Sequence, residues 1–110
     1  MFTYLVTNFD ARLTRARVVS SVENCAKDFG LHKAMFEAKP TRVHWHWKRA
    51  GMSGTLEVTW QPHENQIIVS VHKNRVGANE WAKHDAPKFA ARLANELKGQ
   101  VGATHLDSQK

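Results

Sequence analysis

The sequence predicts an α+β fold: a three- or four-stranded antiparallel sheet in meander order, with a C-terminal helix and an N-terminal helical region packed on one face. Two patterns lead to this expectation. The middle of the chain alternates apolar and polar residues, which is typical of strands with one buried face. Toward the end, apolar residues recur every fourth position, which indicates an amphipathic helix. A length of 110 residues suits one hydrophobic core.

Three segments show the strand pattern: residues 41–48, 55–61 and 66–72. Two short connections rich in turn-forming residues separate them, residues 50–54 and 62–65. Strands joined this closely pair as antiparallel neighbours. Trp45, Trp47 and Trp60 share the periodicity of the aliphatic residues in these segments, so we expect the three indoles to point into the core.

The clearest helical pattern covers residues 86–98. Apolar side chains recur four apart from Phe89 to Leu97, Asp85 is placed to cap the helix, and Gly99 follows its end. Beyond this helix the periodicity is lost. We therefore expect a single domain over residues 1–99 and a frayed polar tail over residues 100–110.

The first forty residues are open to more than one interpretation. We favour an N-terminal strand followed by a helix over residues 21–29, with a β-hairpin over residues 2–19 as the alternative. Residues 31–39 suggest a second short helix. The small residues Ala26 and Gly30, four apart, would then fit a helix-turn-helix that reads a DNA groove.

Charge is the broadest functional indication. Sixteen Lys and Arg against ten Asp and Glu give a formal net charge of +6, and such a field attracts nucleic acid, anionic membranes or acidic proteins. Side chains two apart on a strand are separated by about 7 Å, close to the spacing of phosphates. The candidate phosphate-binding residues are Arg42, His44, His46, Lys48, Lys73 and Arg75.

The leading hypothesis is therefore a small non-enzymatic domain, without a cofactor, that binds DNA or RNA through the polar face of its sheet. Its basic side chains would act by neutralising phosphates and so give affinity more than sequence choice. The alternative, from a different class, is a protein-interaction module. It would bind an acidic partner, or pair with a second copy through exposed edge strands.

A metal site is a third hypothesis for the same face. A turn centred on residues 51 and 52 places His46 opposite Glu57, with His44 and His72 near the same row. Histidines together with a carboxylate are the ligands that zinc and iron sites use. The His-x-His spacing is a weak motif, because a chain with seven histidines brings some of them together by chance.

Catalytic motifs and membrane segments are missing from the sequence. It contains no GxSxG, P-loop or GxGxxG pattern, so we expect no enzyme. Cys25 is the lone cysteine, so no intramolecular disulfide can form, which favours a cytoplasmic location. It lies at an apolar-periodic position and is expected to be buried and inert. No apolar run is long enough to span a membrane, so we expect no membrane partner. Trp81 could either stack on a partner or close the edge of the core.

Overall fold

The computed structural model describes residues 2–71 and 80–104. Six strands lie within these residues: β1 (Phe2–Thr7), β2 (His32–Lys39), β3 (Arg42–Lys48), β4 (Leu56–Gln61), β5 (Gln66–Val71) and β6 (Gln100–Thr104). They are accompanied by two α-helices, α1 (Arg15–Asp28) and α2 (Glu80–Leu97), and by one turn of 3-10 helix, Pro62–Glu64. No helix in this part of the chain is long and apolar enough to cross a membrane.

All six strands form one antiparallel sheet in the order β2-β3-β4-β5-β1-β6. The four strands from β2 to β5 follow each other as a meander. β1 pairs with the side of β5 that faces away from β4. β6 pairs with the other side of β1 and forms the edge of the sheet. The predicted α+β class with an antiparallel sheet is confirmed, but the sheet is larger than the three or four strands expected.

One face of the sheet carries the core. α2 packs across β1 and β5, and α1 lies against α2 on the same side. Trp45, Trp47 and Trp60 point into this core, with exposed fractions of 0%, 4% and 6%, as their periodicity predicted. Trp81 is also buried, and its Nε1 donates a hydrogen bond to the Ser53 carbonyl at 2.8 Å. Of the two interpretations of Trp81, the structure therefore supports the one that places it at the edge of the core.

The predicted second helix over residues 31–39 is wrong, because this segment is strand β2. Gly30, at φ +72°, ends α1, and the Leu31 amide donates back to the Ala26 carbonyl at 2.9 Å. This arrangement closes the helix and sends the chain straight into the strand. β2 then pairs along β3, which satisfies its backbone on that side. The helix-turn-helix interpretation falls with the missing helix.

Both helices begin earlier than their predicted starts at residues 21 and 86. α1 begins at Arg15, where the Thr14 hydroxyl accepts a hydrogen bond from the Arg17 amide at 3.1 Å and so caps the helix. α2 begins at Glu80, and Pro87 lies inside it. Asp85 is therefore not a cap. It is buried within α2 and forms an ion pair with Arg49.

The predicted frayed tail over residues 100–110 is also corrected in part. Residues 100–104 form β6, an edge strand whose backbone pairs with β1, while residues 105–110 lie outside the described residues. The turn into β6 is tight at Gly99. A Cβ atom there would lie 2.6 Å from the Thr7 carbonyl oxygen and 3.3 Å from the Phe9 side chain.

We expect Gly99→Ala to lower the free energy of unfolding by about 1–3 kcal/mol, because the new methyl group meets backbone that cannot yield without moving β1. Gly102→Ala is the matched control, since a Cβ there has no neighbour within 4 Å. Urea denaturation of the two variants measures the difference. Equal midpoints for the two variants would contradict the close approach at Gly99.

Candidate metal centre

The face of the sheet opposite the core is covered by neither helix, and we call it the open face. Alternation along β3 places Arg42, His44, His46 and Lys48 on the open face, as predicted. Cross-strand pairing aligns the residues of the open face into rows across the sheet. The row through His46 runs Met35, His46, Glu57, Ser70 and Thr3. The row through His44 runs Glu37, His44, Thr59, Ile68, Leu5 and Gly102.

His44, His46 and Glu57 converge on one point of this face. The Nε2 atoms of the two histidines are 2.9 Å apart. Glu57 Oε1 lies 3.6 Å from His44 Nε2 and 3.7 Å from His46 Nε2. The predicted register, with His46 directly opposite Glu57, is confirmed. Two ring nitrogens and one carboxylate oxygen thus form a compact triangle.

The three side chains differ in their exposure. The exposed fractions of the side chains are 9% for His44, 16% for Glu57 and 34% for His46. The triangle is therefore sheltered on the His44 side and open to solvent on the His46 side. A bound species would reach it from the solvent above His46.

His44 is held in place from behind by Thr59. Its Nδ1 lies 2.7 Å from the Thr59 hydroxyl oxygen, and the two residues are direct cross-strand partners. Burial lowers the pKa of His44, and the charges of Arg42 and His46 lower it further against the opposing effect of Glu57 and Glu37. The imidazole is therefore neutral near pH 7. When Nδ1–H donates to the Thr59 hydroxyl, the lone pair of Nε2 is directed at the triangle.

The spacing of these three atoms fits a tetrahedral metal ion. Zinc binds imidazole nitrogen and carboxylate oxygen at about 2.0–2.2 Å, which puts neighbouring ligand atoms about 3.3 Å apart. The observed separations of 2.9, 3.6 and 3.7 Å lie on both sides of that value. Neutral imidazoles with one carboxylate suit zinc and similar first-row metals, whereas magnesium and calcium prefer all-oxygen sites.

Three of the four predicted metal ligands are thus brought together, and all their ligand atoms lie within 4.8 Å of one another. The fourth, His72, lies outside the described residues, as do Lys73 and Arg75 of the predicted phosphate-binding set.

The predicted phosphate-binding side chains on β3 already have partners within the protein. Arg42 pairs with Glu37 across the strands at 3.3 Å, and Lys48 donates to the Gly54 carbonyl at 3.3 Å. His44 is buried and neutral, so it adds no positive charge. Sequence reasoning missed Glu37 because it assigned residues 31–39 to a helix. It also missed Thr59, whose position opposite His44 follows from the same register as the His46–Glu57 pair.

Cys25 is buried in the core, as predicted, and lies away from the open face. Burial raises the pKa of its thiol to about 11. Because the thiolate is the reactive form, we expect the native thiol to react with an aromatic disulfide reagent at pH 8 at least about a hundredfold slower than in the urea-unfolded chain. A reaction at equal rates in the two states would contradict this assignment.

A scan against models of protein families finds no match for this chain, and a search of curated proteins finds no significant relative.

Proposed function

We propose that this protein binds a divalent transition metal, zinc first among the candidates, through His44, His46 and Glu57. The observation that carries the proposal is the convergence of their three ligand atoms within 4.8 Å on adjacent strands. Two imidazoles and one carboxylate are a donor set that zinc sites use, and they leave at least one coordination position for water or an outside ligand. The exposure of His46 puts that position on the solvent side.

Cobalt(II) spectroscopy and zinc titration test this proposal on the full chain after removal of metals with a chelator. We expect one equivalent of cobalt to give the intense visible absorption of a tetrahedral site, and one equivalent of zinc to abolish it. His46→Ala is expected to weaken zinc binding at least about a hundredfold, since it removes a direct ligand. His63→Ala removes an exposed imidazole from the 3-10 turn and is the matched control.

Two results would overturn the proposal. One is the absence of a saturable one-to-one site in the unsubstituted protein. The other is an equal loss of affinity in the His46→Ala and His63→Ala variants, because it would mean that zinc binds to histidines without regard to the triangle.

Thr59 is expected to position His44 rather than to bind the metal. Thr59→Val keeps the size and shape of the side chain but removes the hydroxyl, so we expect zinc affinity to fall by about ten- to a hundredfold. Thr59→Ser keeps the hydroxyl and should bind zinc nearly as the unsubstituted protein does. Competition with a chromophoric chelator measures both affinities. An unchanged affinity in Thr59→Val would show that the hydrogen bond to His44 is not needed.

Nucleic-acid binding by the open face is the second candidate function. The observation that favours it is the placement of Arg42 and Lys48 on one strand at either end of the histidine pair, in a chain of net charge +6. Anisotropy of labelled random-sequence DNA and RNA across a salt series tests it. Binding that is unchanged when Arg42 and Lys48 are both replaced by Ala would remove this face from consideration.

A third candidate is pairing with an acidic protein or with a second copy. β2 is an edge strand of eight residues, and Phe36 on it is 41% exposed. Such an edge can accept a further strand. Analytical ultracentrifugation over a range of concentrations tests self-pairing, and a monomer at all concentrations argues against it. The proposed location is the cytoplasm, because a chain with one unpaired cysteine forms no internal disulfide.

A further inference from the structure

We propose that the open coordination position of the metal takes a phosphate oxygen of single-stranded nucleic acid, so that the open face binds this polymer more tightly when the metal is present. This inference rests on the proposed metal site. It joins two features of the open face, the ligand triangle and the cations beside it.

The charge of the face without metal is close to balanced. On the open-face side of β2, β3 and β4, the three cations Lys39, Arg42 and Lys48 stand against the two carboxylates Glu37 and Glu57, a net charge of +1. Two of the cations, Lys39 and Arg42, pair with Glu37 at 3.6 and 3.3 Å. A divalent ion raises the net charge from +1 to +3 by the same count. The metal therefore decides whether this face attracts a polyanion.

The two histidines face each other at the site. Their Nε2 atoms lie 2.9 Å apart, so each ring nitrogen contacts the other across the triangle. His44 is buried, and its other ring nitrogen is occupied by Thr59. With a metal bound, both Nε2 atoms and the Glu57 carboxylate would be ligands of a doubly charged centre. Its remaining coordination position then accepts an anionic oxygen.

The spacing along β3 favours a polymer over a single phosphate. The triangle lies midway between Arg42 and Lys48, and each of these positions is about 10 Å away from it along the backbone of the strand. A single phosphate does not span the roughly 20 Å between the two positions. An extended nucleic-acid strand does, so one of its phosphates can bind the metal while others contact the two cations.

Anisotropy of a labelled random-sequence single-stranded oligonucleotide tests the inference, with metal-stripped protein measured in chelator and again with one equivalent of zinc. We expect zinc to tighten binding at least about tenfold. One additional neutralised phosphate should make the slope of log affinity against log salt steeper by about 0.7 on a single strand. His46→Ala, given the same zinc, should show neither change.

Two double variants distinguish the contribution of the open-face cations to oligonucleotide binding from that of the net charge of the protein. Arg42→Gln with Lys48→Gln should keep the cobalt spectrum but lose most of the zinc-dependent binding. Lys27→Gln with Lys88→Gln removes the same charge from exposed positions on α1 and α2, and should bind as the unsubstituted protein does. Equal losses in the two pairs would overturn the assignment to the open face.

The remaining outcomes distinguish the inference from the proposal beneath it. Zinc binding that leaves oligonucleotide affinity unchanged overturns the inference and leaves the metal site standing. Failure to bind zinc removes both. Inorganic phosphate that displaces the oligonucleotide at an equal concentration of phosphate groups would show that the metal takes a lone phosphate, and it would overturn the choice of a polymer.

Discussion

Zinc at about a hundred times its dissociation constant is expected to raise the free energy of unfolding by about 2.7 kcal/mol, because the ion binds the folded chain and not the unfolded one. For a domain of this size, such a gain corresponds to a rise in Tm on the order of 10 °C. The ligands lie on two strands, β3 and β4, and their atoms meet only when the strands are paired in the native register. Differential scanning calorimetry with and without zinc measures the shift.

The zinc-dependent part of the stability is the quantity to compare among variants. Replacing both His44 and His46 with Ala should abolish the shift, whatever the substitutions do to the stability of the metal-free protein. His63→Ala should keep it. A shift that survives in the double variant would place the zinc elsewhere on the chain and would contradict the site.

Trp45→Ala is expected to lower the free energy of unfolding by about 3–5 kcal/mol, a large part of the roughly 5–15 kcal/mol that stabilises a typical domain. Its indole is fully buried, lies 5.5 Å from the Phe36 ring between centroids, and donates to Glu23 at 3.3 Å. No other residue separates His44 from His46, so the packing of this indole also fixes the strand that carries both ligands. We therefore expect zinc affinity to fall together with stability.

Urea denaturation followed by far-UV circular dichroism measures this loss without dependence on tryptophan fluorescence. Trp45→Phe keeps an aromatic ring in the core and should retain most of the stability and the zinc affinity. It also supplies a folded variant if Trp45→Ala does not fold. A cost below about 1 kcal/mol for Trp45→Ala would mean that the core closes around the missing side chain.

The parts of the fold that could be predicted are those in which local pattern and tertiary structure agree. The alternation in β3, β4 and β5, together with the short turns between them, was enough to place His46 opposite Glu57. In β2 the local residue preference and the tertiary pairing disagree. Residues 33–39 are rich in Ala, Met, Glu and Lys, which favour helices, yet the pairing with β3 makes the segment a strand.

The wrong helix prediction for residues 31–39 also left part of the candidate site unpredicted. Glu37 reaches the open face only because β2 is a strand, so the carboxylate that pairs with Arg42 could not be anticipated. Thr59 could have been found, since it follows from a register that the sequence already predicted. β6 is short and contains a glycine, and nothing in its own residues shows that β1 has a free side for it to join.

The order of strands in the sheet has a consequence for how the chain folds during synthesis. β1 is made early, but its two partners, β5 and β6, come later, and β6 follows α2. Until they emerge, both edges of β1 stay open to other chains and to chaperones. The metal ligands and Thr59, in contrast, all lie within residues 44–59, in a hairpin of two strands adjacent in sequence. We expect that hairpin to form early, so a metal ion could be captured on the ribosome before the sheet is complete.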